Sequence, residues 1–313
     1  MKLPDFDLSK PAATILAGCP AGHDARVLGE LARRAGAAGL VHVAQDDMRA
    51  AALADQLAFF APDVRVVQFP AWDCLPYDRV SPSQQIVGRR IATLSELLTP
   101  PAGPRLVLTN VQAVTQKIPL PEVYRNISLT VRPGAALLAA ALQEFLVANG
   151  YRRAETVREA GEFAVRGGIV DLFPPGVEQA VRVDFFGDEV ESVRCFDPLT
   201  QMTVGQLPML DLHPMTEIQL DEVARERFRG AYRSLFGAVQ ERDPLYDAVT
   251  EGRHFPGMEH WLPLFYEKLG TLFDYVPQAA VSFDWQCEEA LAARQGQTDD
   301  FYQARVRLFK AEK

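Results

Sequence analysis

The sequence predicts an α/β protein: a doubly wound parallel sheet with helices on both faces, joined by a smaller α+β unit. Three observations carry this. Short apolar runs alternate with helical stretches through the first third of the chain. The middle then switches to short strands broken by glycine turns, and after Pro208 the chain turns helical and rich in aromatics. Strict strand–helix alternation is the signature of parallel pairing, because parallel neighbours need a crossover.

Taken in order, Ala13-Thr-Ile-Leu-Ala17 reads as a first strand, then a Gly/Pro loop and a helix from Asp24 to Arg34. Leu40-Val-His-Val-Ala44 reads as a second strand, followed by an alanine-rich helix ending near Phe60. Val64–Gln68 and Arg105–Thr109 complete the strands, with a helix from Ile86 to Leu98 between them. In the middle, a helix from Gly134 to Asn149 precedes strands at Phe163–Arg166, Ile169–Phe173, Ala180–Phe186 and Val190–Phe196, the last two joined by a Gly187-Asp188 hairpin turn. Phe228, Tyr232, Phe236, Trp261, Phe265, Tyr266, Phe273, Tyr275 and Trp285 are spaced for core packing rather than as a cofactor box. The charged helical run ending at Lys313 reads as a cut rather than an end.

At 313 residues and 48% hydrophobic, the chain is long enough for two or three domains. No apolar run reaches the roughly 18 residues that a membrane span needs, so no membrane association is expected and a cytoplasmic location is. Four cysteines stand far apart and five histidines are scattered, so neither a zinc knuckle nor a disulfide framework is expected and no metal or cofactor is assigned. A formal charge of −9 disfavours a general phosphate-binding surface and favours a protein partner.

After the first strand stands Ala17-Gly-Cys-Pro-Ala-Gly22-His23-Asp24. A working phosphate loop here reads GxxxxGK[ST], its lysine reaching the β- and γ-phosphates and its hydroxyl holding magnesium. In this chain Ala17 replaces the first glycine, Gly22 keeps the second, and His23 and Asp24 take the lysine and hydroxyl places. Imidazole lacks the permanent charge, and Asp24 puts an anion where phosphate belongs, so nucleotide is expected to be repelled. Asp24 is expected to cap the helix instead. The same residues read equally as an ordinary strand–loop–helix junction. No Asp-Glu box is evident to support hydrolysis: Asp188-Glu189 falls at the hairpin turn and Asp221-Glu222 at a helix start.

In Val181-Arg-Val-Asp-Phe-Phe186 side chains alternate faces, so Val181, Val183 and Phe185 share the core side and Arg182, Asp184 and Phe186 the other. Arg166 ends a strand whose Phe163 and Val165 point inward. Arg166, Arg182 and Phe186 then form one exposed patch of the residue types that dominate protein–protein hot spots. The alternative is a phenylalanine covered by a neighbouring helix beside two solvated arginines. Residues 128–212 hold seven Arg and no Lys against twelve Asp and Glu, which makes DNA a poor partner for this unit.

Three stretches together resemble one family. They are Phe69-Pro-Ala-Trp-Asp-Cys-Leu-Pro-Tyr-Asp-Arg-Val-Ser-Pro82 with Arg89-Arg-Ile-Ala-Thr-Leu94; Arg166-Gly-Gly-Ile-Val-Asp-Leu-Phe-Pro174 continuing through Val181–Val190 to Phe196-Asp-Pro-Leu-Thr200; and Phe255-Pro-Gly-Met-Glu-His-Trp261 with Leu272-Phe-Asp-Tyr-Val-Pro277. The chain is similar to the N-terminal region of transcription-repair coupling factor, Mfd, itself similar to the first domains of the excision-repair helicase UvrB. The resemblance implies a degenerate P-loop, RecA-type motor domain made of residues 1–126 and 210–313. Residues 127–209 would be the inserted α+β domain that binds UvrA, with Arg166, Arg182 and Phe186 on the family's contact positions. It further implies a non-catalytic module that recruits UvrA, masked at rest by the remainder of the full-length chain, with RNA polymerase and DNA engaged only through parts beyond Lys313. Two rivals are an active P-loop ATPase and UvrB itself, a DNA-handling subunit. Pro70–Tyr77 runs on without the tyrosine-rich hairpin by which UvrB separates DNA strands, so aromatic wedging is not expected.

Overall fold

A computed structural model describes residues 13–20, 22–125, 127–174, 177, 179–239 and 243–311. The main elements in chain order are α1 (His23–Ala35), β1 (Leu40–Ala44), α2 (Asp47–Phe60), β2 (Arg65–Phe69), α3 (Gln84–Leu97), β3 (Arg105–Asn110), β4 (Leu129–Val131), α4 (Ala139–Ala148) and β5 (Arg152–Arg153). They continue with β6 (Glu162–Arg166), β7 (Ile169–Leu172), β8 (Ala180–Phe186), β9 (Glu189–Phe196), β10 (Thr203–Gln206), β11 (Leu210–Leu212), α5 (Glu222–Phe236), α6 (Pro244–Thr250), β12 (Ala280–Phe283) and α7 (Cys287–Ala311).

The chain divides into two compact units. The first comprises Met1–Ala71, Glu96–Lys117 and Gly270–Lys313, and the second Trp72–Ser95 and Ile118–Leu269. The first unit holds a wholly parallel sheet in the order β12-β1-β3-β2. All five residues of β1 are buried, as a strand covered on both faces requires. On one face Leu28 and Leu31 of α1 and Leu53 and Leu57 of α2 pack against Leu40, Leu106 and Leu108. Gly29 of α1 meets Ala61, the residue just past α2: an added Cβ would stand 2.6 Å from the Cβ of Ala61, so only glycine admits this approach.

The expected first strand is not one. Residues 13–20 join no ladder, and Ile15 is 91% exposed. Both edges of β1 are already taken, by β3 and by β12, a strand from a stretch read as helical. Parallel pairing brings residues 240 positions apart into register, Leu40 opposite Ala280, and no local pattern reports that. The helix expected from Gly134 starts at Ala139, after a turn in which Gly134 takes φ 79°.

The second unit holds a six-stranded sheet in the order β10-β9-β8-β7-β6-β5. All its neighbours are antiparallel except β5 and β6. Phe163, Val170, Leu172, Val181, Val183, Val190 and Val193 line one face and pack with Leu142 and Leu146 of α4. A further core joins Phe228 of α5, Leu245 and Val249 of α6, Met258 and Phe265, the Phe228 and Phe265 rings stacked at 4.8 Å. Of the aromatics expected in the core, Phe228, Phe265 and Tyr275 are buried and Tyr232, Trp261, Tyr266 and Phe273 half-buried, but Phe236 and Trp285 are exposed.

Candidate docking site

Register places the three residues singled out in the sequence on one face of the six-stranded sheet. Arg166 pairs with Ile169, and Ile169 with Asp184; Asp171 pairs with Arg182. Residues opposite one another across a ladder project to the same side, so Arg166, Asp171, Arg182 and Asp184 share a face, with Phe186 two residues further along β8. Strands β6 and β8 are two ladder steps apart, about 10 Å. The opposite face carries the larger core, while this one carries a smaller cluster of Val157, Ala164, Ala180 and Phe196 beside the arginines.

Phe186 is 82% exposed. It ends β8 at the two-residue turn that pairs it with Glu189, where Gly187 takes φ 61°. Among the described residues no helix covers it. Arg166 is exposed too, its Nη2 donating to the carbonyl of Glu155 at 2.8 Å and to Thr156 Oγ1 at 2.9 Å.

Arg182 is different. Its Nε donates to Asp171 Oδ1 at 2.6 Å and its Nη2 to Oδ2 at 2.9 Å, while the guanidinium lies 4.8 Å from the ring centre of the buried Phe196. The Asp171 side chain is 2% exposed and that of Arg182 17%. The hydrogen bond to Asp171 pushes the Arg182 pKa further up, so the charge is permanent. Arg182 is therefore built into the sheet as well as presented on it, and it is not the freely solvated arginine that one reading allowed.

Sequence reasoning missed the next residue in that row. Arg194, opposite Arg182, donates to Asp184 from Nε at 3.0 Å and from Nη2 at 2.8 Å, and Ser192 Oγ donates to the same carboxylate at 2.5 Å. Only the β8–β9 register could have shown it. The face is a ladder of two arginine–aspartate pairs, with Arg166, which meets no carboxylate among the described residues, and the apolar Phe186 at its ends.

In the first unit, Gly22 caps α1 with φ 85°, and Asp24 sits one residue inside the helix, its Oδ1 accepting from the amide of Ala25 at 2.9 Å. This corrects the expectation that Asp24 is the cap. Asp24 is also no bare anion, because Arg49 Nη2 donates to it. Ala17 lies in the unpaired stretch 13–20, and His23 opens α1.

The second unit also buries a charge pair. Arg90 Nε donates to Glu217 Oε1 at 2.6 Å with both side chains 0% exposed, and Trp72 Nε1 donates to the same oxygen at 3.1 Å. These residues explain the Phe69–Pro82 and Arg89–Leu94 stretches structurally: Trp72 and Arg90 secure Glu217, which lies 145 residues after Trp72. Beside them the Cys74 thiol, 3.7 Å from His260 Nε2, is pushed up to about 11 by burial, which makes it a poor nucleophile. All four cysteines are free, and among the described residues no group of side chains could hold a metal ion. No helix of the described residues is long and apolar enough to cross a membrane.

A family model described as the UvrB interaction domain matches residues 129–218. The chain is similar to a transcription-repair-coupling factor of Haemophilus influenzae, 32% identical over 312 residues, covering 99% of this chain and 26% of the relative. It is 35% identical over 254 residues to that of Escherichia coli, covering 81% and 22%, and 38% identical over 273 residues to that of Myxococcus xanthus, covering 81% and 22%. The chain thus spans about a quarter of the length of the curated relatives it matches.

Proposed function

We propose that this chain recruits UvrA without catalysis of its own, a reading supported by its similarity to transcription-repair-coupling factors over about a quarter of their length and by the match of residues 129–218 to the UvrB interaction domain model. The proposed insert is residues 127–209, between the two parts, 1–126 and 210–313, of a degenerate motor-like domain. Phe186 is the anchor, Arg166 the cation offered to a partner carboxylate, and Arg182 the arginine that shapes the face between them.

The observation that carries the reading is a phenylalanine 82% exposed on a polar sheet face. A large ring kept in water at the tip of a rigid hairpin has no folding role there, whereas buried in a partner it contributes strongly. The net negative charge of the unit supports a protein partner over DNA. The reading further has the remainder of the full-length protein cover this face at rest, in the cytoplasm, with RNA polymerase and DNA engaged elsewhere on that protein.

Calorimetric titration of UvrA into this chain tests the proposal. Saturable binding that Phe186→Ala weakens at least tenfold is the expected result. Absence of binding by the wild-type chain, or full affinity in both Phe186→Ala and Arg166→Ala, overturns it. Weaker UvrA binding by the full-length protein than by this chain is expected from masking; equal affinity removes that part alone.

A further inference from the structure

A P-loop-like fold implies a nucleotide with its magnesium ion, held between the hydroxyl at the second residue of the first helix and an aspartate at the end of a parallel strand. Two carboxylates of this chain stand at matching places, the start of α1 and the end of a parallel strand, although residues 13–20 before α1 join no sheet. Asp24 is the second residue of α1, and Asp284 is the first residue past β12, in the sheet where β12 neighbours β1. Sequence alone does not point to Asp284, because Ala280–Phe283 lies in a stretch that reads as helical.

The residues around them do not fit that group. Arg49 of α2 reaches both carboxylates: its Nη2 donates to Asp24 Oδ2, and its Nε to Asp284 Oδ2 at 3.1 Å. Asp284 is almost fully buried, and His42 Nε2 lies 3.5 Å from its other oxygen, while His42 Nδ1 is 2.9 Å from Ser282 Oγ. Two further aspartates nearby are committed elsewhere. Asp46 accepts from the amide of Arg49 at 2.8 Å to cap α2, and Asp47 accepts from Asn110 Nδ2 at 2.5 Å.

We propose that Arg49 is a built-in replacement for the divalent cation: its guanidinium bridges Asp24 and Asp284 where a P-loop protein places metal and phosphate. The site is thereby filled by the protein's own side chain. Nucleotide is excluded by occupancy, which differs from the repulsion that the bare sequence suggested. The bridge also ties α1, α2 and the end of β12 together in the absence of any ligand, the task that a bound nucleotide performs in an active site of this kind. A guanidinium suits it, since a planar fork reaches two carboxylates at once and never loses its charge. This inference is independent of the docking face.

Thermal unfolding of the whole chain, with and without Mg-ATP and with and without Mn²⁺ as the probe cation, tests it. The wild type is expected to show no shift with either. Arg49→Ala is expected to fall by about 5 °C, because it removes the cation that the two carboxylates share, and to recover part of that loss in millimolar Mn²⁺. Asp284→Asn in the Arg49→Ala background is expected to abolish the Mn²⁺ recovery. Arg49→Lys keeps the charge but loses the fork, so it is expected to fall less and to ignore Mn²⁺. A saturable Mg-ATP shift in the wild type overturns the proposal. So does an Arg49→Ala variant that ignores Mn²⁺, or an Arg49→Lys variant that falls as far as the alanine, either of which assigns Arg49 to packing alone. If Arg49→Ala does not fold, the lysine variant and the wild-type Mg-ATP arm still decide.

Discussion

Arg182 and Asp171 close a two-pronged ion pair, at 2.6 and 2.9 Å, on the same sheet face that displays Phe186. The aspartate is buried and the arginine nearly so, which means that the pair serves the fold before it serves any partner. Truncating Arg182 is therefore expected to act twice. Arg182→Ala should lower stability by about 1–3 kcal/mol through the stranded Asp171 carboxylate. In Arg182→Ala/Asp171→Ala part of that loss should return, a coupling that denaturant melts of the four-member cycle measure. Loss of UvrA binding in Arg182→Ala alone is consequently not interpretable without those melts.

Phe186→Ala is the cleaner variant. An exposed ring leaves no cavity, so stability should stay within about 0.5 kcal/mol of wild type. UvrA affinity is expected to fall by about 2 kcal/mol, roughly thirtyfold. Arg166→Ala should be equally silent in melts, because its hydrogen bonds reach only the Glu155 carbonyl and Thr156 at the surface.

The buried pair Arg90–Glu217 makes an opposite prediction. With both side chains fully buried, Arg90→Met strands the Glu217 carboxylate, to which Trp72 Nε1 also donates, at a cost of about 3–5 kcal/mol. Replacing both partners, as in Arg90→Met/Glu217→Leu, should recover most of this. A single variant that melts like the wild type would mean that the pair contributes nothing.

Acid is expected to lower the stability of the fold over two separate pH ranges. Burial lowers the pKa of His213 and His254, so both stay neutral in the fold while the unfolded chain takes up protons below about pH 6.5. Stability from this source is intact above that pH and falls as pH drops below it. Burial alone would raise Asp284, but the hydrogen bonds and charges of His42 and Arg49 hold its carboxyl below the usual range. Its contribution persists above the unfolded carboxylate pKa, about 3.9, and disappears as pH falls through the lower folded value. Thermal midpoints recorded against pH should bend twice. His213→Gln with His254→Gln should flatten the first arm and leave the second.

Much was legible in the chain because it rests on local rules. Period-two alternation in Val181–Phe186 separated core from surface, and the structure keeps Val181 and Val183 buried and Phe186 out. The Gly187 turn set the hairpin register, and the parallel sheet followed from strand–helix alternation. What stayed hidden depends on partners distant in sequence. Asp171 under Arg182 and Asp184 under Arg194 follow only from ladder register, and β12 beside β1 only from a crossover spanning most of the chain. The fate of the P-loop-like segment was decided in the same way. The sequence by itself determined that positions 23 and 24 carry an imidazole and a carboxylate rather than a lysine and a hydroxyl, since charge belongs to residue type. Tertiary structure alone decided that Arg49 stands between Asp24 and Asp284, because a three-residue charge bridge exists only where packing brings two helices and a strand end to one place.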